Sequence, residues 1–282
     1  MIAVVDYQKG NLKSVERGLI AAGGEALITA DASEIAKADA IVLPGVGAFA
    51  DAAATMCELG QMEAIRDRVR AGVPFLGICL GEHLMFEHGV EGAPEGNPAC
   101  GLGLLPGTVV AMPRCDAQGK AFKVPHVGWN TIEMPSCGGS AAVPPCGEGG
   151  GNAVLLSGGA GGGAARSSAA KRGLFEHGAF PNSASQPESE LAFPDSTPQP
   201  GSDLAFACPL FDGIAPGEYF YFTHSFIAPT GSHTIAETTH SVRFTSAVQF
   251  GERAFGVQFH PEKSSDAGAR VLANFVAIAA RG

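Results

Sequence analysis

A cysteine flanked by two glycines is the sharpest chemical signal in the chain. Gly77, Cys79 and Gly81 form a GxCxG pattern between an apolar run and a segment with helical spacing. In a nucleophile elbow the chain turns so tightly that only small residues fit two positions before and after the nucleophile. A thiol there lies at a helix N-terminus, where amide N–H groups and the helix dipole favour the thiolate. The pattern predicts a cysteine nucleophile, and a small buried hydrophobic residue is the alternative.

A histidine and a glutamate near the other end of the chain supply the groups that a thiol nucleophile needs. His260 ends an apolar run, and Pro261 restricts the backbone immediately before Glu262. Glu262 could hold the imidazole in one tautomer and stabilise its charged form, as the acid of a catalytic triad does. Taken by themselves, the two residues are more often a capped turn than a catalytic pair. Joined to the GxCxG pattern, they predict a triad of Cys79, His260 and Glu262.

Strands and helices must bring these distant residues together. Apolar runs and amphipathic stretches alternate on both sides of the chain's middle, as in an α/β domain. A strand over 73–78 is predicted to lead into Cys79, and a helix over 80–88 to follow it. Further strands are predicted at 1–7, 40–43, 104–111, 219–223, 234–237, 244–250 and 254–259, and further helices at 11–22, 56–70 and 271–280. We expect an α/β fold with a mixed, mostly parallel sheet flanked by helices.

The middle of the chain differs in composition from both flanks. Eleven of the 26 residues from Gly138 to Gly163 are glycine, and a Pro/Ser/Gln-rich stretch follows. Such a sequence shows no sustained period of 2 or 3.6 and too little apolar surface to offset its ordering entropy. We therefore expect one domain over 1–282, interrupted by a low-complexity insertion at 137–207.

The charge and the amino terminus argue against a protein that binds nucleic acid or a membrane. The formal net charge is −10, whereas a nucleic-acid footprint is basic. No apolar run reaches the ~18 residues that span a bilayer. The first residues lack the basic segment of a signal peptide, and the seven cysteines include no CxxC pair. We expect a cytoplasmic protein with reduced thiols and no zinc site.

Several segments, in order along the chain, carry a resemblance to a known family. The triad motifs resemble those of the class I (triad) glutamine amidotransferases. Other segments resemble the glutaminase subunits of imidazole glycerol phosphate synthases: DYQKGNLKSV at 6–15, PGVGAF at 44–49, PHVGWN at 125–130, PLF at 209–211, YFTHSF at 221–226 and GVQFHPEKS at 256–264. The resemblance covers about 1–135 and 208–282, and it implies a flavodoxin-like three-layer sandwich.

The resemblance implies an enzyme that hydrolyses glutamine to glutamate and ammonia, with no metal or other cofactor. Cys79 would attack the carboxamide, and His260 would pass the thiol proton to the leaving ammonia. The ammonia would reach a cyclase subunit, a (β/α)₈ barrel that forms a heterodimer with the glutaminase. That subunit makes imidazole glycerol phosphate and AICAR from PRFAR in histidine biosynthesis.

The remaining site residues are also assigned by resemblance. The Leu80 N–H and the peptide between Gly45 and Val46 would bind the oxyanion, and that peptide could flip when the partner binds. The substrate-binding candidates are His83, Glu91, His224, Ser225 and Phe226. The partner-interface candidates are Asn11 and Trp129.

Simpler roles remain open for several of these residues. Glu91 could be a solvated loop carboxylate, and His224 an ordinary histidine at a strand end. Asn11 could cap the first helix, and Trp129 could belong to the core.

Two places depart from the family's pattern. Where the family continues GICLGMQ, this chain has Glu82 and His83. A neutral His83 lacks the paired donor and acceptor of an amide, and an inward Glu82 carboxylate would disfavour the thiolate. We predict that hydrolysis survives with weaker glutamine binding, so that His83→Gln lowers KM. Gln8 replaces the usual glycine and would be strained if its φ were positive.

Two other functions stay open from the sequence. One is another triad amidotransferase, such as that of anthranilate or pyridoxal phosphate synthesis, against which Trp129 and the YFTHSF segment argue. The other is a catalytically weakened interaction subunit of the same complex, which Glu82 and His83 favour.

Overall fold

Thirteen strands and six helices make up the part of the chain that the computed structural model describes, residues 1–135 and 206–281. The strands are β1 (Ile2–Val5), β2 (Ala26–Thr29), β3 (Ala40–Gly45), β4 (Phe75–Cys79), β5 (Phe86–Gly89), β6 (Ala99–Cys100), β7 (Leu105–Ala111), β8 (His126–Thr131), β9 (Tyr219–His224), β10 (Phe226–Ile227), β11 (Thr234–Thr239), β12 (Arg243–Phe250) and β13 (Ala254–Val257). The helices are α1 (Leu12–Ala21), α2 (Ala32–Ile35), α3 (Phe49–Glu58), α4 (Gln61–Arg70), α5 (Leu80–His83) and α6 (Ser265–Ala280).

Seven strands form the central sheet, in the order β11-β12-β13-β4-β3-β1-β2. Five adjacent strands run parallel to one another: β13, β4, β3, β1 and β2. Beyond β13, β12 pairs antiparallel to β13 and β11 pairs antiparallel to β12. Two smaller sheets, β10-β7-β5-β6 and β8-β9, complete the described part. Since parallel strands end at the same edge, β3 and β4 bring Gly45 beside Cys79, its partner in the register.

Alternating side chains of the central strands pack into two cores, one on each face of the sheet. Along β1, Ile2 and Val4 join the core that includes the buried faces of α1 and α6. Ala3 and Val5 join the other core, against α3 and α4. Helices therefore cover both faces, and the molecule has the three layers that the sequence predicts.

Some elements differ from the sequence prediction. The helix predicted over 56–70 is divided into α3 and α4, because Gly60 has a positive φ of 68° between them. The helix predicted over 80–88 ends at His83, and the next residues turn into β5. The elements β2, α2 and β8 were not predicted, because the first two are only four residues long and the third alternates around a glycine.

The predicted insertion at 137–207 lies outside the described residues except for its last two positions. Phe206 is the first described residue after this segment, and its ring contacts that of Phe211 at a centroid distance of 4.9 Å. That the insertion interrupts one domain stays a prediction.

The cysteines bear on the expectation of reduced thiols, and the helices bear on the expectation that no segment spans a membrane. Among the residues that the structure describes, four cysteines are free thiols: Cys57, Cys79, Cys100 and Cys208. Cys115 is in a disulfide bond, so the expectation of reduced thiols is wrong at that position. Within 1–135 and 206–281, no helix is long and apolar enough to cross a membrane.

Candidate active site

Cys79 lies in a strained turn between β4 and α5. Its φ of 54° and ψ of −106° fall in a region that residues other than glycine rarely adopt. A Cβ at Gly77 would lie 2.5 Å from the Gly81 carbonyl oxygen, and one at Gly81 would lie 1.8 Å from the Leu43 carbonyl oxygen. The GxCxG spacing therefore has a steric cause, because the turn closes only with glycine at both positions.

His260 lies next to Cys79, with Glu262 behind it. His260 Nδ1 is 3.0 Å from Glu262 Oε1, and the two side chains are 2% and 1% exposed. The His260 backbone N–H donates to the Tyr221 carbonyl at 2.9 Å, which anchors the histidine to β9. With Nδ1 engaged by Glu262, Nε2 is the nitrogen left to face the thiol, and it has no hydrogen-bond partner among the described residues.

Charge interactions within the triad outweigh the effect of burial. Burial disfavours the imidazolium, but Cys79 and Glu262 stabilise it and raise the pKa of His260 to about 9. Burial also raises the pKa of Glu262, yet its contact with His260 outweighs this and lowers that pKa below the usual value. His260 can therefore hold a proton taken from Cys79 at neutral pH.

Asn11 supports the triad from the start of α1. Its Nδ2 donates a hydrogen bond of 3.4 Å to Glu262 Oε1. Although Asn11 immediately precedes the helix, its side chain makes no cap hydrogen bond there. Asn11 therefore does not cap the helix, and this predicted interface residue contacts Glu262.

A cavity of about 300 Å³ lies over Cys79. Val46 and Leu80, two of the predicted oxyanion residues, line it. All five predicted substrate-binding residues line it as well: His83, Glu91, His224, Ser225 and Phe226. A larger cavity of about 590 Å³ lies at the opposite end of the parallel strands, around Met1 and Pro74, and its lining contains no cysteine, serine or histidine.

Tyr7 lies under the loop at 45–47 and was not among the predicted site residues. Its side chain is fully buried, and a Cβ on Gly45 would lie 2.3 Å from the phenol oxygen. Burial and then the charge of Cys79 raise the pKa of Tyr7, whereas the Val46 backbone N–H acts to lower it. Tyr7 therefore keeps its proton, and the phenol leaves room only for glycine at position 45.

Glu91 and His224 meet the cavity in different ways. Burial and the nearby Asp51 raise the pKa of the half-buried Glu91, against a lowering contribution from the Phe49 N–H. The His224 ring is fully engaged, with Nδ1 2.8 Å from the Phe226 carbonyl oxygen and Nε2 3.0 Å from His126 Nδ1. Only the backbone of His224 is therefore free to contact a ligand.

Glu82 and His83, two of the residues that depart from the family's pattern, are buried beside Cys79. Glu82 is fully buried, and neither of its carboxyl oxygens has a hydrogen-bond partner within 1–135 and 206–281. Burial and then Cys79 raise the pKa of Glu82 well above its usual value, so the carboxyl is neutral. Burial lowers the pKa of His83 to about 4, so this ring is neutral too. Gln8 has a positive φ of 70°, the conformation that glycine would adopt without strain.

Three histidines lie close together next to the site but do not form a metal centre. The ring of His126 stacks on that of His240 at 4.3 Å and hydrogen-bonds to His224. Three of the other ring nitrogens reach backbone or amide groups: His126 Nε2, His224 Nδ1 and His240 Nε2, the last 2.9 Å from the Lys123 carbonyl. In the described part of the chain, no group of three or more His, Cys, Asp or Glu could hold a metal ion.

Trp129 belongs to an exposed face of β8 and β9, which we call the aromatic face: Val127, Trp129, Tyr219 and Tyr221. Trp129 is 49% exposed and Tyr219 is 54% exposed, so a core role for Trp129 is wrong. The Trp129 and Tyr221 rings contact edge-on at 6.1 Å. Lys263 Nζ lies 5.9 Å from the centre of the Tyr221 ring, which connects this face to the triad turn.

Comparison with known sequences points to one family. The model of the family described as "Glutamine amidotransferase class-I" matches residues 3–133 and 196–279. The "Imidazole glycerol phosphate synthase subunit HisH" of Moorella thermoacetica is 34% identical over 276 residues, which cover 97% of this chain and 93% of that protein. The protein of the same name from Rhodopirellula baltica is 34% identical over 277 residues, 98% of this chain and 96% of its own length.

Solved structures share the fold at low sequence identity. One described as "Crystal structure of glutamine amidotransferase" has a TM-score of 0.56 at 15% identity and covers 99% of this chain and 100% of its own. "Structure of PurLQS from Thermotoga maritima" has a TM-score of 0.54 at 14% identity, with coverage of 98% and 97%. These likenesses confirm the predicted fold, an α/β sandwich with a mostly parallel mixed sheet.

Proposed function

This chain belongs to the class-I glutamine amidotransferase family, and on that premise we propose that it is the glutaminase subunit of an imidazole glycerol phosphate synthase. It hydrolyses glutamine to glutamate and ammonia, and its partner uses the ammonia to make imidazole glycerol phosphate and AICAR from PRFAR in histidine biosynthesis. The observation that carries the proposal is the position of His260 between Cys79 and Glu262, beneath a cavity lined by the predicted substrate residues. The relatives named as HisH subunits support the choice of pathway.

Hydrolysis proceeds through a covalent intermediate on Cys79. His260 Nε2 takes the thiol proton while Glu262 holds Nδ1–H, and the sulfur attacks the carboxamide carbon. The tetrahedral adduct collapses, the C–N bond breaks, and His260 returns the proton to the leaving nitrogen, which departs as ammonia. Water, deprotonated by His260, then attacks the γ-glutamyl thioester and releases glutamate with the thiol restored.

The oxyanion of each adduct needs backbone N–H donors. Leu80 N–H, the first of α5, is one, and Val46 N–H is the second. In this structure the Val46 N–H lies against the Tyr7 oxygen, so it must turn away from Tyr7 before it can serve. Gly45 and Gly47 give the loop the freedom to turn, and we connect this rearrangement with binding of the partner.

The ends of the substrate are held by different groups. The Glu91 carboxylate pairs with the α-ammonium of glutamine, and the backbone of His224, Ser225 and Phe226 binds its polar groups. These assignments are supported by the lining of the cavity and by the engaged ring of His224.

The partner is a cyclase subunit, a (β/α)₈ barrel that forms a heterodimer with this chain and docks on the aromatic face. We propose that both chains work in the cytoplasm. We expect Trp129→Ala to weaken the heterodimer by roughly thirty-fold in Kd, because half-exposed tryptophans that become buried contribute about 2 kcal/mol at interface hot spots. Isothermal titration of the purified subunits measures the change.

Leu27→Ala is the matched control for this surface, since Leu27 is a similarly exposed apolar residue on the edge strand β2. We expect it to leave the Kd unchanged. An unchanged Kd for Trp129→Ala would contradict docking on the aromatic face.

The function is tested by following glutamate formation from glutamine with the purified chain alone and with the cyclase subunit and PRFAR. We expect slow turnover alone and a large stimulation by the partner. A turnover rate that the cyclase subunit does not change would contradict the proposal in favour of another triad amidotransferase. Tight binding of the cyclase without any turnover would contradict it in favour of a weakened interaction subunit.

A further inference from the structure

The buried amide of Gln258 joins the nucleophile to a histidine that the triad mechanism does not use. Gln258 immediately follows β13 and is fully buried. Its Nε2 donates to Cys79 Sγ at 3.6 Å, and its Oε1 lies 2.7 Å from His83 Nε2. Cys79 and His83 are only 7% and 3% exposed, so all three groups meet away from bulk water.

The direction of these hydrogen bonds follows from their chemistry. An amide oxygen only accepts, so His83 must carry its proton on Nε2. The ring is neutral, because burial lowers the pKa of His83 to about 4. This tautomer holds the amide oxygen of Gln258 on the histidine side and directs its NH₂ group at the sulfur. The opposite amide orientation would bring an oxygen against the sulfur and would require the other tautomer of His83, with its proton on Nδ1.

The surroundings of Cys79 otherwise oppose a negative sulfur. The Thr223 carbonyl oxygen lies 4.0 Å from Sγ and accepts a hydrogen bond from the thiol, which favours the thiol over the thiolate. Within 1–135 and 206–281, Gln258 is the side chain that donates a hydrogen bond to the sulfur, whereas His260 Nε2 has no hydrogen-bond partner. Hydrogen bonds to charged groups are worth roughly twice those between neutral groups, so this donor favours the thiolate over the thiol.

We propose that Gln258 is a further catalytic residue, whose amide N–H stabilises the Cys79 thiolate, and that His83 is a positioning residue that fixes the orientation of this amide. The inference rests on the proposed glutaminase function and adds a group to its machinery. It also assigns His83 a role through Gln258 in addition to its place in the cavity lining.

The test measures the thiolate directly, as the rate at which iodoacetamide alkylates Cys79 in the full chain at a series of pH values. Mass spectrometry of the Cys79 peptide isolates this signal, and the exposed Cys57 is a reference within the same sample. The measurement needs neither glutamine nor the cyclase. An absence of glutamine turnover would therefore contradict the proposed function without changing this readout.

We expect Gln258→Leu to slow alkylation of Cys79 at neutral pH about tenfold and to move its pH profile upward, since a charge-assisted hydrogen bond is lost. His83→Leu should act in the same direction by about threefold, because the amide is no longer oriented. His83→Gln should restore the rate, since its amide N–H can donate to Gln258 Oε1 as the imidazole does. In glutamine hydrolysis, Gln258→Leu should lower kcat and leave KM unchanged.

Gln249→Leu is the matched control, because it removes an amide of β12 that donates to the Gly251 carbonyl at 2.8 Å. Its Cys79 profile should equal that of the wild type. A folded Gln258→Leu variant with the wild-type profile overturns the proposal. If that variant fails to fold, a wild-type profile for His83→Leu overturns it, and slowing that His83→Gln rescues supports it.

Discussion

Cys79→Ala is expected to lower glutamate formation by about 10⁴-fold or more in the complex with the cyclase subunit, because removing a triad nucleophile leaves only the oxyanion donors and binding. Alanine keeps the backbone and removes only the sulfur from the elbow, whose closure depends on Gly77 and Gly81. The folded state and cyclase binding should therefore remain, and a coupled assay for glutamate measures the loss.

Cys57→Ala is the control for that experiment, since Cys57 is an exposed free thiol on α3 outside the cavity lining. It should keep the wild-type rate. A Cys79→Ala chain that hydrolyses glutamine at the rate of the wild type would show that another group is the nucleophile.

Glu82→Met is expected to stabilise the folded chain by about 2 kcal/mol, and by more as the pH rises. Burying a carboxyl whose two oxygens lack partners costs of the order of 1–3 kcal/mol, and methionine fills a similar volume without polar atoms. The pH dependence follows from proton linkage. Above its ordinary pKa of 4.5, Glu82 loses its proton in the unfolded chain but keeps it in the folded chain, where burial raises the pKa.

Over that pH range the unfolded state binds fewer protons than the folded state, so the wild type loses stability as the pH rises. Methionine has no proton to lose, and the difference between variant and wild type should widen with pH. Urea unfolding at several pH values measures it. Glu252→Met, at the exposed turn after β12, should show no such widening, and a difference for Glu82→Met that stays constant or narrows would contradict a buried neutral Glu82.

Local steric rules made the strained turn at Cys79 predictable. The close approaches at Gly77 and Gly81 involve residues within a few positions of Cys79 or on the adjacent strand, and a short motif reports them. The corner at His260 and Glu262 is equally local, because two residues and one proline define it. The main strands and the two-sided core followed from apolar runs in the same way.

Contacts across the sheet were harder to predict. Gln258 hydrogen-bonds to Cys79 although the two residues are 179 positions apart in the sequence. The only sequence signal for this contact was that Gln258 lies two residues before His260, on the same side of an extended chain. Tyr7 belongs to the site because its phenol oxygen lies close to Gly45, and this closeness depends on the pairing of β1 with β3. The hydrogen bond from Asn11 to Glu262 was not predicted for the same reason, since Glu262 lies 251 positions away.

The central claim, that Cys79 is the nucleophile of a glutaminase, is tested most directly by trapping the covalent intermediate. The complex of this chain with the cyclase subunit is mixed with glutamine, quenched in acid during turnover and digested for mass spectrometry. We predict a γ-glutamyl group on the peptide that carries Cys79, forming and decaying at rates that account for the glutamate released. Glutamate release without that group on Cys79, or with it on another residue, would contradict the account.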